Sequence, residues 1–278
     1  MRARLLNEVL PAGHGEGTIL EITDLHLSFA GVKAIDGVSF SVDSGELFAI
    51  IGPNGAGKTS IFNCISGVYH PDSGSIHFRG QSILGLKPNR IADLGVARTF
   101  QNIELFPQMT VLDNLMLGRH KHVGYGSAAA MLRIGKAARE EARNREIAEG
   151  IIEFLDIHRF RKSFVAMLPY GIQKRIELGR ALAMEPKLLL LDEPAAGMNL
   201  EETEDMARFI TDIRRELGIG IILVDHDMRV VMDLADKVLV IDFGRPIAQG
   251  SPGEIQSNRD VIRAYLGEEH AVAEGGDE

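Results

Sequence analysis

The stretch that most constrains this chain is Gly52-Pro53-Asn54-Gly55-Ala56-Gly57-Lys58-Thr59. It fits G-x-x-x-x-G-K-[ST], the pattern of a phosphate-binding loop. Leu47-Phe48-Ala49-Ile50-Ile51 precedes it as a short apolar run of buried-strand type. Ser60-Ile61-Phe62-Asn63-Cys64-Ile65 follows it with apolar residues at helical spacing. Strand, loop and helix in that order are the context the motif needs. Gly52, Gly55 and Gly57 reach backbone angles closed to other residues and leave room for a phosphate. Successive N–H groups then point into one concavity, at the positive end of a helix. Lys58 adds a full charge within reach of β- and γ-phosphates, and the Thr59 hydroxyl is a hard oxygen ligand suited to Mg2+. Pro53, Asn54, Ala56 and Ser60 belong to the same expected nucleotide cradle.

The rest of the chain alternates. From Thr18 to Asp43 the pattern is strand-like, with Val38, Phe40 and Val42 alternating against Ser39, Ser41 and Asp43. This reads as an antiparallel layer beside the loop. Short strands are expected at 75–79 and 96–100, with a short helix at 88–94 between them. Thr110 stands as an N-cap before an apolar helix. Residues 128–157 form a charged amphipathic stretch, and no strand signal appears from 110 to 165. That region reads as a helical subdomain, about 102–180, inserted in the nucleotide domain. A helix at 172–184 and an unbroken apolar strand at 187–192 follow. Helix 201–217, strand 219–224, helix 228–234 and strand 237–242 complete the alternation. The pattern predicts an α/β fold with a mainly parallel sheet and helices on both faces. Residues 1–17 are expected to be a flexible lead-in, 18–267 the folded domain, and 268–278 an acidic disordered tail.

Further chemistry sits at strand ends. Leu188-Leu189-Leu190-Leu191-Asp192-Glu193 puts two carboxylates at the C-terminal end of a buried strand, the edge where open parallel sheets hold ligands. Asp192 is suited to hold Mg2+, and Glu193 to take a proton from an attacking water. His226 ends the strand after Asp225, where it can reach a γ-phosphate if its strand neighbours that of Asp192. Gln101 follows another strand and can ligate Mg2+ through its amide oxygen or position the water. Leu168-Pro169-Tyr170-Gly171-Ile172-Gln173 opens a helix. Gly171 there exposes N–H groups as a second anion site, one suited to a nucleotide held by another subunit. Phe29 ends its strand and can stack on a purine.

Bulk properties exclude several classes. A net charge of −9 argues against a general nucleic-acid binder. No apolar run approaches the ~20 residues of a membrane span. Asn7 and Glu8 interrupt the basic, briefly apolar start too soon for a signal peptide. A single cysteine, Cys64, permits no internal disulfide and fits a reducing cytoplasm; on the loop's helix it reads as a small buried apolar side chain.

In their order, these pieces resemble the ATP-binding subunit of an ABC transporter over residues 18–267. The phosphate loop, Gln101, the 168–173 signature, the 188–193 acidic strand, the 196–199 loop and His226 stand in family order. Phe29 matches the family's adenine-stacking aromatic. Finer features resemble the branch that energises branched-chain amino acid uptake: Arg98-Thr99-Phe100-Gln101-Asn102, Leu168-Pro169-Tyr170-Gly171, Ala195-Ala196-Gly197-Met198-Asn199 and Ile247-Ala248-Gln249-Gly250-Ser251-Pro252. The general signature is Leu-Ser-Gly-Gly-Gln. Pro169 offers neither hydroxyl nor N–H, so Leu168, Tyr170, Gly171 and Gln173 are left to meet the nucleotide.

The resemblance implies a P-loop NTPase core with an antiparallel β layer and an inserted helical subdomain. It implies ATP and Mg2+ as cofactors and head-to-tail pairing with a second ABC ATPase, identical or not. It further implies two transmembrane permease subunits, a periplasmic binding protein acting indirectly, and a place on the cytoplasmic face of the inner membrane. Residues 103–107 are the expected part of the permease-docking groove. Other cargoes such as urea or lipopolysaccharide, or a soluble non-transport role, are the alternative readings.

Overall fold

The computed structural model describes residues 10, 17–120, 136–225 and 227–265. Two sheets organise them. β1 (Thr18–Phe29) and β2 (Val32–Asp43) form a long antiparallel hairpin, with Ile22 opposite Phe40. β4 (Ser73–Phe78) pairs with the other edge of β1, and β5 (Gln81–Ser82) closes the layer in the order β2-β1-β4-β5. The second sheet has the order β10-β9-β3-β8-β7-β6. Its strands are β3 (Leu47–Ile51), β6 (Val96–Arg98), β7 (Leu188–Asp192), β8 (Gly220–Val224), β9 (Lys237–Asp242) and β10 (Arg245–Gly250). All run parallel except β10, which returns antiparallel along β9.

Alternation along the central strands explains why the core is double. Phe48, Ile50, Leu188, Leu190, Ile222 and Val224 face the antiparallel layer, together with Ile61, Phe62 and Ile65 of α1 (Lys58–Ile65). Leu47, Ala49, Ile51, Leu189, Leu191, Ile221 and Leu223 face the opposite way, onto the helices. A strand buried on both faces must be apolar at every position, which is the unbroken pattern of β3, β7 and β8.

Among the described residues between β6 and β7 the α-helices are α3 (Val111–Gly118), α4 (Lys136–Phe154) and α5 (Tyr170–Leu182), after the short α2 (Pro88–Leu94) that precedes β6. Thr110 caps α3 by accepting from the Asp113 N–H at 3.2 Å. Residues 128–135 of the amphipathic stretch lie outside the described residues. An isolated bridge between Thr110 and Phe164 is the one strand-like contact described in this region. α6 (Leu200–Leu217), α7 (Met228–Leu234) and α8 (Pro252–Gln256) follow.

Some boundaries differ from the sequence expectation. β6 stops at Arg98 instead of 100, because Thr99 makes its last ladder bond, to Leu190 O at 2.9 Å, and the chain then leaves the sheet. α5 starts at Tyr170, two residues early, with Pro169 at its N-cap. A proline there sacrifices no helical hydrogen bond, since the first N–H groups have no partner within the helix. Residues 1–9, most of the expected lead-in, and the tail 268–278 lie outside the described residues.

Candidate active site

β3 delivers the chain into the phosphate loop, and α1 carries it away. Gly57 sits at the N-cap of α1 with φ 107. A Cβ there would lie 2.3 Å from Ala34 O, so both the angle and the space demand glycine. The loop is braced from two sides: Gly244 N–H donates to Ala56 O at 2.9 Å, and Asp36 N–H donates to Gly244 O at 2.8 Å. Lys58 lies across the loop and donates to Gly52 O at 2.5 Å and Pro53 O at 2.8 Å. A cavity of about 240 Å³ opens here, lined by Ala34, Asn54, Gly55, Ala56, Gly57, Lys58, Thr59, Ser60, Gln101 and Glu193. The loop and two residues far away in sequence therefore share one concavity.

The acidic strand end meets the loop from β7, one strand removed from β3. Glu193 leaves the sheet with φ 47, a left-handed angle that costs a non-glycine residue about 1–3 kcal/mol. Its own N–H donates to Val224 O at 2.8 Å, which holds the turn. Gln101 Nε2 donates to Glu193 Oε2 at 3.1 Å, so the two polar groups are already side by side. Asp192 is buried and paired: Arg98 Nη2 donates to Asp192 Oδ2 at 2.9 Å. Burial pushes the Asp192 carboxyl up, and the arginine opposes that shift.

Three groups of the site were given no role of their own by the sequence. One is Arg98, whose contact with Asp192 spans 94 residues of chain. The others are Lys174 and Glu177 on α5. Lys174 Nζ donates to Gln101 O at 2.9 Å, and Phe100 N–H donates to Glu177 Oε1 at 3.2 Å. The pair, 3.7 Å apart and buried, thus grips the backbone on which Gln101 rides. The available signal was a lysine and a glutamate three apart on a helix, which reads as a solvated pair until the packing is known.

The signature residues divide. Gln173 turns back, its Nε2 donating to Leu168 O at 2.8 Å, which closes the turn. Leu168 is buried, while Tyr170 is partly exposed and packs against Gly197. Gly171 has a packing reason as well as an electrostatic one: a Cβ there would lie 2.2 Å from Glu202 Oε1, on the first turn of α6. Phe29 stands exposed at the tip of the hairpin whose second strand supplies Ala34 to the cavity, edge-on to Tyr69 at 5.1 Å. His226 lies outside the described residues. Cys64 is buried, and its thiol is pushed up to about 12 by that burial. In segment 103–107 the Phe106 N–H is held by Asn114 Oδ1 at 2.9 Å.

The cradle fits a nucleotide di- or triphosphate. It has glycines where Cβ atoms would collide, a helix N-terminus aimed inward, and a lysine across it. The oxygen donors Thr59, Asp192 and Gln101 suit a hard cation such as Mg2+. Among the described residues no group of three or more His, Cys, Asp or Glu is gathered for a metal, so a cation here would also need nucleotide oxygens.

Fold and site together define a P-loop nucleotide hydrolase. Its parallel sheet carries an antiparallel layer on one face and a helical insertion on the other. Residues 35–196 match the ABC transporter family, and residues 245–271 match the family described as "Branched-chain amino acid ATP-binding cassette transporter". The chain belongs to the ABC transporter family as an ATP-binding cassette, and it is an ATPase. It is 41% identical over 250 residues to the high-affinity branched-chain amino acid transport ATP-binding protein BraF of Pseudomonas aeruginosa, covering 90% of this chain and 98% of the relative. It is 38% identical to LivG of Escherichia coli over the same length and coverage. A solved ATP-binding cassette of an ABC transporter in its ADP conformation superposes with a TM-score of 0.79 at 31% identity, covering 90% of this chain and 99% of that one.

Proposed function

We propose that this cassette energises the import of branched-chain amino acids through a pair of membrane permeases. Support for the chemistry comes from the convergence of residues 54–60, Gln101 and Glu193 on one cavity. Support for the cargo comes from the family match over residues 245–271 and from the two relatives.

In this reading the phosphate loop binds the phosphates of ATP, and Lys58 leaves Gly52 O and Pro53 O to meet the β- and γ-oxygens. Phe29 stacks on the adenine. When bound, Mg2+ supplies charge neutralisation at the phosphates, held by Thr59 and Asp192 with Gln101 as a further oxygen donor. Glu193 accepts the proton of the attacking water, which Gln101 and His226 help to orient. The signature residues Leu168, Tyr170 and Gly171 face the nucleotide of a second cassette, so that ATP joins the two and hydrolysis releases them. Closure follows because ATP binds the joined state more tightly than the open one.

No helix among the described residues is long and apolar enough to cross a membrane. In this reading the permeases are met at a surface. A groove of about 360 Å³ beside the site suits that contact, lined by Val68, Ile91, Phe100, Leu117, Arg180 and Met184. Its apolar walls suit a short helix from a permease loop at the cytoplasmic face. Segment 103–107 borders it through Arg180, which donates to Glu104 O.

The test is affinity isolation of the full chain from detergent-solubilised cells, followed by reconstitution and uptake of labelled leucine. Two polytopic permeases, a second cassette and ATP-dependent leucine uptake are expected. Reproducible recovery of soluble partners alone would end the transport reading. Assembly with permeases that carry another solute would end the cargo reading.

A further inference from the structure

We propose that Arg98 is a positioning residue that sets the orientation of the Asp192 carboxylate toward the nucleotide-bound Mg2+. The proposal rests on the reading of Asp192 as a Mg2+ ligand. Arg98 joins three parts of the site at once. Its Nη2 donates to Asp192 Oδ2 at 2.9 Å, at the end of β7. Its Nη1 donates to Asn63 Oδ1 at 2.6 Å and to Ser66 Oγ at 3.3 Å, at the end of the helix that begins in the phosphate loop. Its guanidinium carbon lies 5.4 Å from the Phe62 ring centroid and 5.2 Å from that of Phe100, next to Gln101 in sequence.

Such a clamp has a reason. β6 and β7 are hydrogen-bonded neighbours, with Arg98 paired to Leu190, so the side chain is delivered beside the strand end that carries Asp192. Mg2+ demands near-octahedral geometry, and a carboxylate free to swivel on its Cα–Cβ bond meets that demand poorly. A planar fork with fixed donors restrains the swivel in a way a flexible ammonium cannot. Both side chains are nearly sealed, at 9% and 4% exposure. Arg98 Nε is buried with no hydrogen-bond partner among the described residues. Arg98 also lines the apolar groove together with Phe100 and Ser66. The same side chain thus borders the groove and the metal-side carboxylate.

The experiment titrates Mn2+, as a paramagnetic stand-in for Mg2+, into the full chain saturated with ADP. Electron paramagnetic resonance reads the bound fraction, corrected for Mn2+ held by ADP without protein. ADP affinity in EDTA is measured beside it. Arg98→Gln is expected to weaken Mn2+ binding about 10- to 100-fold, the range for loss of a group that orients a metal ligand, with ADP affinity in EDTA unchanged. Arg98→Lys should fall between the variant and the parent. Unchanged Mn2+ affinity in Arg98→Gln overturns the proposal. So does an equal loss of ADP affinity in EDTA, which would make the arginine a prop for the phosphate-loop helix alone. If Arg98→Gln fails to fold, Arg98→Lys decides in the same way. Asp192→Asn must itself lose Mn2+ affinity; if it does not, the reading of Asp192 fails and the proposal with it.

Discussion

Lys58 and Glu193 line one cavity, and their chemistry separates binding from turnover. Glu193→Gln keeps the size of the side chain and its ability to meet Gln101, but an amide cannot accept the proton. Phosphate release is expected to fall about 100- to 10,000-fold with ATP affinity retained. Calorimetric titration beside a phosphate assay checks both halves; near-normal turnover would remove Glu193 from the role of base. Lys58→Ala acts on the other quantity. A charge-assisted hydrogen bond contributes about 1.5–3 kcal/mol, so ATP affinity should drop about ten- to a hundred-fold. Equal ATP affinity in parent and variant would contradict the contact with phosphate. At this scale glycine identity also matters, since Gly57 is forced by φ 107 and by Ala34 O at once.

Single elements carry the links between these groups. α5 begins at the signature and, about one and two turns on, reaches the backbone of Gln101 through Lys174 and of Phe100 through Glu177. A movement of α5 is therefore felt by the amide that touches Glu193. Burial raises the Glu177 carboxyl, while Lys174 opposes the rise, so each member of the pair needs the other. Lys174→Met leaves Glu177 without its cation and should cost about 3–5 kcal/mol of stability. Adding Glu177→Gln should cost less than the sum of the two single changes, because they remove one shared interaction. Urea unfolding of the four proteins measures this, and strict additivity would mean that the pair is not coupled. α6 shows the local counterpart. Asn199 and Glu202 form a capping box at its start, and the same Glu202 carboxylate closes on Gly171 of α5.

On the scale of the whole molecule, the antiparallel layer and the parallel sheet must hold still relative to each other for the cavity to keep its shape. Asp36 of β2 ties them: its carboxylate accepts from Arg245 Nε of β10 at 2.8 Å and from Lys33 Nζ at 3.1 Å, and His26 Nδ1 faces it at 3.3 Å. Arg245 first, and Lys33 after it, lower the Asp36 carboxyl from 3.8 to about 2. A carboxyl depressed in the folded state contributes its stability above the unfolded value and loses it as pH falls through the folded one. Asp36→Asn should therefore be less stable than the parent near neutrality. The deficit should shrink as pH falls from 3.8 toward about 2. Urea midpoints across that range test the sign; a deficit that grows on acidification would contradict it.

Much of this molecule could be read along the chain, because its decisive signals are local. Eight consecutive residues define the phosphate loop, and an unbroken apolar run ending in Asp192 and Glu193 marks a strand buried on both faces. The β–α alternation predicts a parallel sheet, and the order of motifs identifies the family. Tertiary structure alone decided which strand ends become neighbours. Gln101 meets Glu193 across 92 residues and Arg98 meets Asp192 across 94, because β6 pairs with β7 in one particular register. It also decided that Gln173 bends back on Leu168 and that Gly171 makes room for Glu202. The reason is physical: periodicity and turn chemistry act within a few residues, whereas side-chain partners depend on packing distances that no local pattern encodes.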